Sequence, residues 1–153
     1  MLHVTTRRNQ QKQRAESGLP PSSLSAAAVQ RMLFLRAYIQ LIRADLYLRK
    51  GDFAKLRDRV RTFPRAQGAP EPDAIESVCR AIDTACIWYW KEVLCLQRSA
   101  ATACVLRAAG IPAQMIIGVQ LMPFRAHAWV EVNGCVVNDK PYMRDLYMTL
   151  DCC

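Results

Sequence analysis

The sequence predicts an α+β fold, because helical patterns occur between Ser25 and about Gly110 and strand patterns follow them. Apolar residues at helical spacing run from Ser25 to about Lys50, and again on both sides of Cys95. From Ala113 to Leu121 the apolar residues become nearly continuous, which is typical of a buried strand. An α+β domain has this element order, with helices first and an antiparallel sheet after them.

Four helices are expected ahead of the sheet, each bounded by a capping or helix-breaking residue. Gly51 is a plausible C-cap for the first helix, and Asp73 followed by Glu76 resembles a capping box that opens the third. Pro112 prevents the fourth helix from continuing into the first strand. The predicted helical spans are 25–50, 52–62, 73–90 and 95–110.

The dipeptide Asn133-Gly134 predicts a β-hairpin between the strand-like segments 127–132 and 135–139. A two-residue loop would place His127 and Asp139 on opposite faces of the sheet. A three-residue loop would place them directly across from each other on one face, with their Cβ atoms ~5 Å apart. We therefore predict the three-residue loop.

The length of 153 residues suggests one domain, preceded by a short tail. Residues 1–24 are polar and basic and are expected to be a disordered tail, and residues 25–153 are expected to form the domain. Residues 1–23 lack the apolar core of a secretory signal. The apolar stretch 26–48 carries four charged residues, so no membrane span is expected.

The seven cysteines have no C-x-x-C spacing, and the chain has only two histidines. We therefore expect neither a metal site nor a cofactor, and we interpret the cysteines as reduced thiols of a cytoplasmic protein. Three of them, Cys79, Cys86 and Cys104, fall in helical apolar patterns typical of small buried side chains. The last two, Cys152 and Cys153, are expected to be exposed.

The charge is uneven along the chain. Residues 1–65 hold 14 Lys and Arg against 4 Asp and Glu, whereas residues 66–153 hold 7 against 9. A basic half attracts nucleic acid, an acidic peptide or an acidic protein, or it is simply a solvated helical surface. No Gly-rich phosphate loop is present, and nucleic acid is not the partner that we expect.

Three residues carry the predicted chemistry: Cys95, His127 and Asp139. Cys95 stands where a helix begins, and a helix N-terminus favours the thiolate form of a cysteine and offers N–H groups to an oxyanion. His127 would accept the thiol proton, and Asp139 would orient the imidazole ring. Taken singly, a buried thiol, a core histidine and a turn aspartate are the ordinary interpretations. Together they form a nucleophile, a base and an orienter for acyl transfer to water or to an amine.

Other residues are weaker candidates. Ser99 lacks a G-x-S-x-G context and is rejected as a nucleophile. Trp129 would share the face of His127 and could shield the site, although core packing is its commoner role. Arg98 and Arg125 could meet substrate carboxyl groups, although a solvated arginine is the commoner interpretation.

Several short runs lie in order between Cys95 and Leu150. They are Cys95–Ser99, Gly110–Ala113, Ile117–Val119, Pro123–Phe124, Ala126–Val132, Asn138–Asp139 and Pro141–Asp145. In this order and spacing the chain resembles the leader peptidases of lasso-peptide biosynthesis, the B proteins. Ahead of Cys95 the likeness is one of character only.

This resemblance implies a papain/transglutaminase-like fold whose Cys-His-Asp triad maps onto Cys95, His127 and Asp139. It implies cleavage of a precursor peptide between leader and core, with the core amine then joined to an acidic side chain by an ATP-dependent lasso cyclase. Fused members carry a leader-recognition domain ahead of the protease, for which the tail of this chain is too short. We therefore expect a separate recognition protein, or a chain that lacks that part.

The basic helices are the predicted surface for such a partner or for the leader, with Arg57, Arg59 and Arg61 as its residues. Two other functions remain open from the sequence alone. One is a transglutaminase-like amine acyltransferase or amidase on the same scaffold. The other is a basic helical binding module without catalysis.

Overall fold

A computed structural model describes residues 23–67 and 73–153, so most of the predicted tail lies outside the described residues. The chain divides between Arg31 and Met32 into two units, and of the first the structure describes only residues 23–31, which are helical. The elements are α1 (Ser23–Arg49), α2 (Phe53–Arg61), α3 (Ala74–Ile87), α4 (Cys95–Ala108), β1 (Ala113–Leu121), β2 (Phe124–Val132), β3 (Cys135–Val136), α5 (Met143–Leu146) and β4 (Met148–Cys152). This order confirms the α+β prediction.

The helix ends match the predicted punctuation only in part. Gly51 ends the first helical segment with a φ of +68°, a conformation that glycine adopts without strain. Asp73 precedes α3, but its φ of +61° is left-handed and its side chain makes no capping hydrogen bond. The predicted capping box is therefore wrong. Helix α3 also stops at Ile87 rather than at Trp90.

Helix α4 forms the centre of the core and packs against α2, α3 and one face of the sheet. Its alanines Ala100, Ala101 and Ala103 are buried, and such small side chains allow neighbouring elements to approach closely. Gln97, also buried, donates from Nε2 to the carbonyl of Leu41 at 3.0 Å and so ties α4 to α1. The start of α4 is thus held firmly in the core.

The four strands form one antiparallel sheet in the order β3-β2-β1-β4. The β1–β2 register pairs Gly118 with His127 and Ile116 with Trp129. Because side chains alternate along a strand, His127 and Trp129 share one face of the sheet. Val130 and Met115, on the other face, belong to the core cluster that includes α4.

Strand β4 was not predicted from the sequence. It pairs with β1, and beyond it Cys153 exchanges two backbone hydrogen bonds with Met115, at 2.6 and 2.9 Å. Cys153 is buried, so the expectation that it is exposed is wrong, whereas Cys152 is exposed as predicted. The position of Cys153 is set by its pairing with Met115 of β1, almost forty residues earlier in the sequence.

Candidate active site

An imidazole–carboxylate pair lies on the outer part of the sheet. His127, on β2, is joined through Nε2 to Oδ2 of Asp139 at 2.8 Å. The other carboxylate oxygen accepts the backbone N–H of Lys140 at 2.7 Å, which fixes the orientation of the carboxylate. The two side chains are 23% and 21% exposed, so the pair is sheltered but open to solvent on one side. The carboxylate thus engages Nε2, and among the described residues no hydrogen bond joins the imidazole to Cys95.

The hairpin that carries this pair has a different register from the one predicted. Val132 pairs with Cys135, so the loop consists of Asn133 and Gly134 alone. Both have positive φ, +52° and +77°, as a two-residue type I′ turn requires. The predicted three-residue loop is therefore wrong, and the reasoning that demanded it assumed that the strand continued to residue 139.

The carboxylate reaches the ring because the chain leaves the ladder after β3. Val137 donates its N–H to Val130 at 3.0 Å, but its carbonyl accepts the thiol of Cys79 at 3.3 Å. The side-chain oxygen of Asn138 accepts the N–H of Val130 in its place, at 2.7 Å. This turn of the backbone at 137–138 changes the face toward which Asp139 points.

Cys95 is the first residue of α4, as predicted. The N-cap position holds Leu94, which makes no side-chain capping hydrogen bond. The first N–H groups of a helix have no acceptor within the helix, so they can stabilise a thiolate or an oxyanion there. One turn further on, Ser99 donates its hydroxyl to the carbonyl of Ala128 at 2.9 Å. That bond anchors the start of α4 to the part of β2 next to His127.

Two aromatic rings support the imidazole. The ring of His127 lies 5.3 Å from that of Tyr147 and 6.4 Å from that of Trp129, measured between centroids. Trp129 is fully buried and donates from Nε1 to Glu131 at 2.9 Å. Glu131 in turn pairs with Arg144 at 3.3 Å. Trp129 therefore packs beside the imidazole with no surface left for a substrate.

Tyr147 was missed in the sequence analysis. It lies between α5 and β4, in a segment without strong periodicity, and only the resemblance of the nearby run Pro141–Asp145 pointed to this part of the chain.

Some of the arginines predicted to contact substrate or a partner are paired with a carboxylate, and others are exposed. Arg98 is paired with Asp83 at 2.6 Å, whereas Arg125 is exposed on β2. On α2, Arg57 pairs with Asp151 at 3.2 Å. The other two α2 arginines remain candidates for a partner surface: the Arg59 guanidinium lies over the Phe63 ring, and Arg61 is exposed.

Burial raises the pKa of five of the seven thiols, all of which are free. The pKa of Cys104 is raised to about 12, and those of Cys79 and Cys153 to about 11. Desolvation also raises the pKa of Cys86 and of Cys152. These thiols stay protonated near neutral pH, which makes them weak nucleophiles.

In residues 23–67 and 73–153, no group of three or more His, Cys, Asp or Glu side chains is placed to hold a metal ion. None of the helices in those ranges is both long and apolar enough to cross a membrane.

A helix that begins with a cysteine, packed on a small antiparallel sheet with an imidazole–carboxylate pair, is the arrangement expected of a transglutaminase-like domain. A family model of the transglutaminase-like superfamily matches residues 38–151. This match covers well over half of the chain, and the chain belongs to that superfamily. The predicted fold is thereby confirmed.

The chain is also similar to the microcin J25-processing protein McjB of Escherichia coli. The two are 49% identical over 51 residues, which cover 33% of this chain and 24% of McjB. The similarity thus extends over about a quarter of the length of that curated relative, and it agrees with the resemblance found in the sequence. No solved structure matches the chain significantly.

Proposed function

We propose that the chain is a cysteine peptidase that removes the leader from a lasso-peptide precursor, with Cys95, His127 and Asp139 as its catalytic triad. The observation that carries the proposal is the 2.8 Å contact between His127 and Asp139. A carboxylate that fixes one ring nitrogen leaves the other to serve as a base. The uncapped helix start at Cys95 is the matching nucleophile position.

The proposed reaction has two acyl-transfer steps. His127 takes the proton of the Cys95 thiol, and the thiolate attacks the carbonyl carbon of the scissile peptide bond. The oxyanion is stabilised by N–H groups at the start of α4. The C–N bond then breaks, His127 protonates the departing core amine, and the leader remains as a thioester. Water, deprotonated by the same imidazole, attacks the thioester and releases the leader carboxylate and the free thiol.

The substrate is inferred from the relative, and the partners are inferred from the resemblance of the sequence to the leader peptidases. McjB is described as a microcin J25-processing protein, which supports a precursor peptide as the substrate here. A separate leader-recognition protein and an ATP-dependent cyclase complete the proposed set of partners. We place this reaction in the cytoplasm, in keeping with seven free cysteines.

Thiol labelling tests the activated cysteine without any substrate. A Cys95 activated by His127 should react with iodoacetamide about tenfold faster than an ordinary exposed thiol at pH 7. Cys135 is exposed and serves as the reference thiol in the same peptide map. We expect His127→Ala to remove the advantage of Cys95. Equal labelling of Cys95 and Cys135 in the native protein would refute the activated thiolate, and it is also what a non-catalytic binding module predicts.

Cleavage itself is tested with a synthetic precursor peptide of leader plus core, in the presence of the recognition protein. Cys95→Ala should lower cleavage by about 10³-fold or more, whereas Cys135→Ala should cleave at the native rate. Cleavage by Cys95→Ala at the native rate would overturn the proposal.

The second candidate, an amine acyltransferase, is favoured only by the superfamily. It differs in the group that resolves the thioester, an amine instead of water. Added primary amine should then be incorporated at the leader carboxyl group, which mass spectrometry distinguishes from the free acid. Free acid alone, at every amine concentration, supports the peptidase.

A further inference from the structure

A chain of buried hydrogen bonds joins α4, β2 and the segment after β3. The hydroxyl of Ser99 donates to the carbonyl of Ala128 at 2.9 Å and accepts from Nδ2 of Asn138 at 3.0 Å. The side-chain oxygen of Asn138 accepts the N–H of Val130 at 2.7 Å. Ser99 is 1% exposed and Asn138 7% exposed. We call Ser99 and Asn138, with these bonds, the Ser99–Asn138 clamp.

The hydrogen-bonding roles within the clamp follow from one fixed donor. The backbone N–H of Val130 can only donate, so the Asn138 atom facing it must be the oxygen. Its amide nitrogen therefore faces Ser99 and donates, which directs the serine hydrogen to the carbonyl of Ala128. A side chain at position 138 satisfies both partners only if it offers an acceptor to Val130 and a donor to Ser99. Aspartate offers no donor there when ionised, and leucine offers neither.

Each of the three segments that the clamp joins also carries a residue of the proposed triad. Ser99 follows Cys95 by one helical turn. Ala128 directly follows His127, and Asn138 directly precedes the carboxylate residue of the triad. The clamp therefore fixes, within one buried network, the three chain segments that carry the nucleophile, the base and the orienter.

We propose that Ser99 and Asn138 are positioning residues of the active site, which hold Cys95 and His127 in reactive geometry without touching the substrate. This inference rests on the proposed function. A displacement of about 1 Å between reacting groups can lower a rate by about 10²-fold. The loss of one clamp bond should therefore appear in kcat and in thiol reactivity, and far less in KM.

The matched control is Thr102, which lies on the same helix and is also buried. Its hydroxyl donates to the carbonyl of Arg98 within α4 and does not join the helix to the sheet. Ser99→Ala and Thr102→Val each remove one buried hydroxyl with little change of volume. They separate a general loss of helix stability from a loss of positioning.

The experiment measures the rate of Cys95 labelling by iodoacetamide against pH, together with kcat and KM for a synthetic precursor peptide, in variants first shown by thermal melting to be folded. Ser99→Ala and Asn138→Asp should lower kcat about 10- to 100-fold, with KM changed by less than about threefold, and should shift the pH profile of labelling. Thr102→Val should match the native protein in all three measurements. Ser99→Thr, which keeps the hydroxyl, should recover most of the loss.

A native pH profile and a native kcat in Ser99→Ala would overturn the clamp while leaving the triad intact. A native protein with neither fast Cys95 labelling nor cleavage would overturn the proposed function itself, and the clamp with it.

Discussion

The most direct test of the packing around the imidazole is Gly118→Ala. Gly118 is the cross-strand neighbour of His127 and lies under the two rings that support it. A Cβ at this position would stand 2.8 Å from two ring atoms of Trp129 and 2.9 Å from Cβ of Tyr147. Carbon atoms pack at about 3.5–4.0 Å, so the neighbours would have to move by roughly 1 Å.

The expected cost follows from how little these neighbours can move. Trp129 is fully buried and hydrogen-bonded to Glu131, and the Cβ of Tyr147 is held by the backbone next to β4. Overpacking of this kind costs about 1–3 kcal/mol, and the stiffer unfolded chain of an alanine variant returns about 0.4–1 kcal/mol. We therefore expect Gly118→Ala to lower the free energy of unfolding by about 1–2 kcal/mol.

Urea denaturation followed by tryptophan fluorescence measures this change. Trp129→Phe removes the ring atoms that the new Cβ would meet, so in a double-mutant cycle Gly118→Ala should cost less in that background. Because His127 packs on the same rings, the rate at which iodoacetamide labels Cys95 should also fall in Gly118→Ala. A neutral or stabilising effect of Gly118→Ala would show that the reasoning about this contact is wrong.

Three further predictions concern stability and partner binding. The pKa of Cys104 is raised from 9.0 to about 12, so between these values the unfolded chain loses this proton first, and the thiol should lower stability by about 1.4 kcal/mol per pH unit. Cys79 and Cys153 should add slopes of the same sign, so Cys104→Ala should make the pH dependence of urea midpoints at pH 8.5–10.5 shallower by about that amount without abolishing it. Asp45 is buried and pairs with Lys91, so Asp45→Ala should cost about 1–3 kcal/mol by the same assay, and a change below about 0.5 kcal/mol would contradict this. Reversal of Arg59 and Arg61 to Glu should slow precursor processing about tenfold at low salt while the melting temperature stays close to native; unchanged processing would exclude this surface.

Much of the fold could be predicted from local patterns. The start of α4 at Cys95 and the full span of β1, Ala113–Leu121, agree with the structure. Both depend on features within a few residues of sequence: a helical repeat that begins after Leu94, and an apolar run that follows Pro112. The two partners of the imidazole–carboxylate pair were also identified, since few residues in the chain could play these roles.

The register of the hairpin could not be predicted in this way. The Asn-Gly dipeptide correctly indicates a two-residue turn, whereas a contact between His127 and Asp139 across a continuous ladder requires a three-residue loop. The structure has both the two-residue turn and the contact between His127 and Asp139, because the chain leaves the ladder after β3. Asn138 bonds Ser99 there, and the thiol of Cys79 donates to the carbonyl of Val137. These partners lie almost forty and sixty residues earlier, beyond the reach of a local pattern. Strand β4 was missed for the same reason.

The early end of β3 has a consequence for how the protein meets other chains. A strand of two residues, Cys135–Val136, offers few free backbone groups along that edge of the sheet. On the other edge, the pairing of β4 with β1 is interrupted by a register shift between Ile117 and Gly118. Short and irregular edges are poor templates for the addition of a foreign strand. The sheet is thereby protected against edge-to-edge aggregation, even though the apolar Met148 and Leu150 are exposed on its outermost strand.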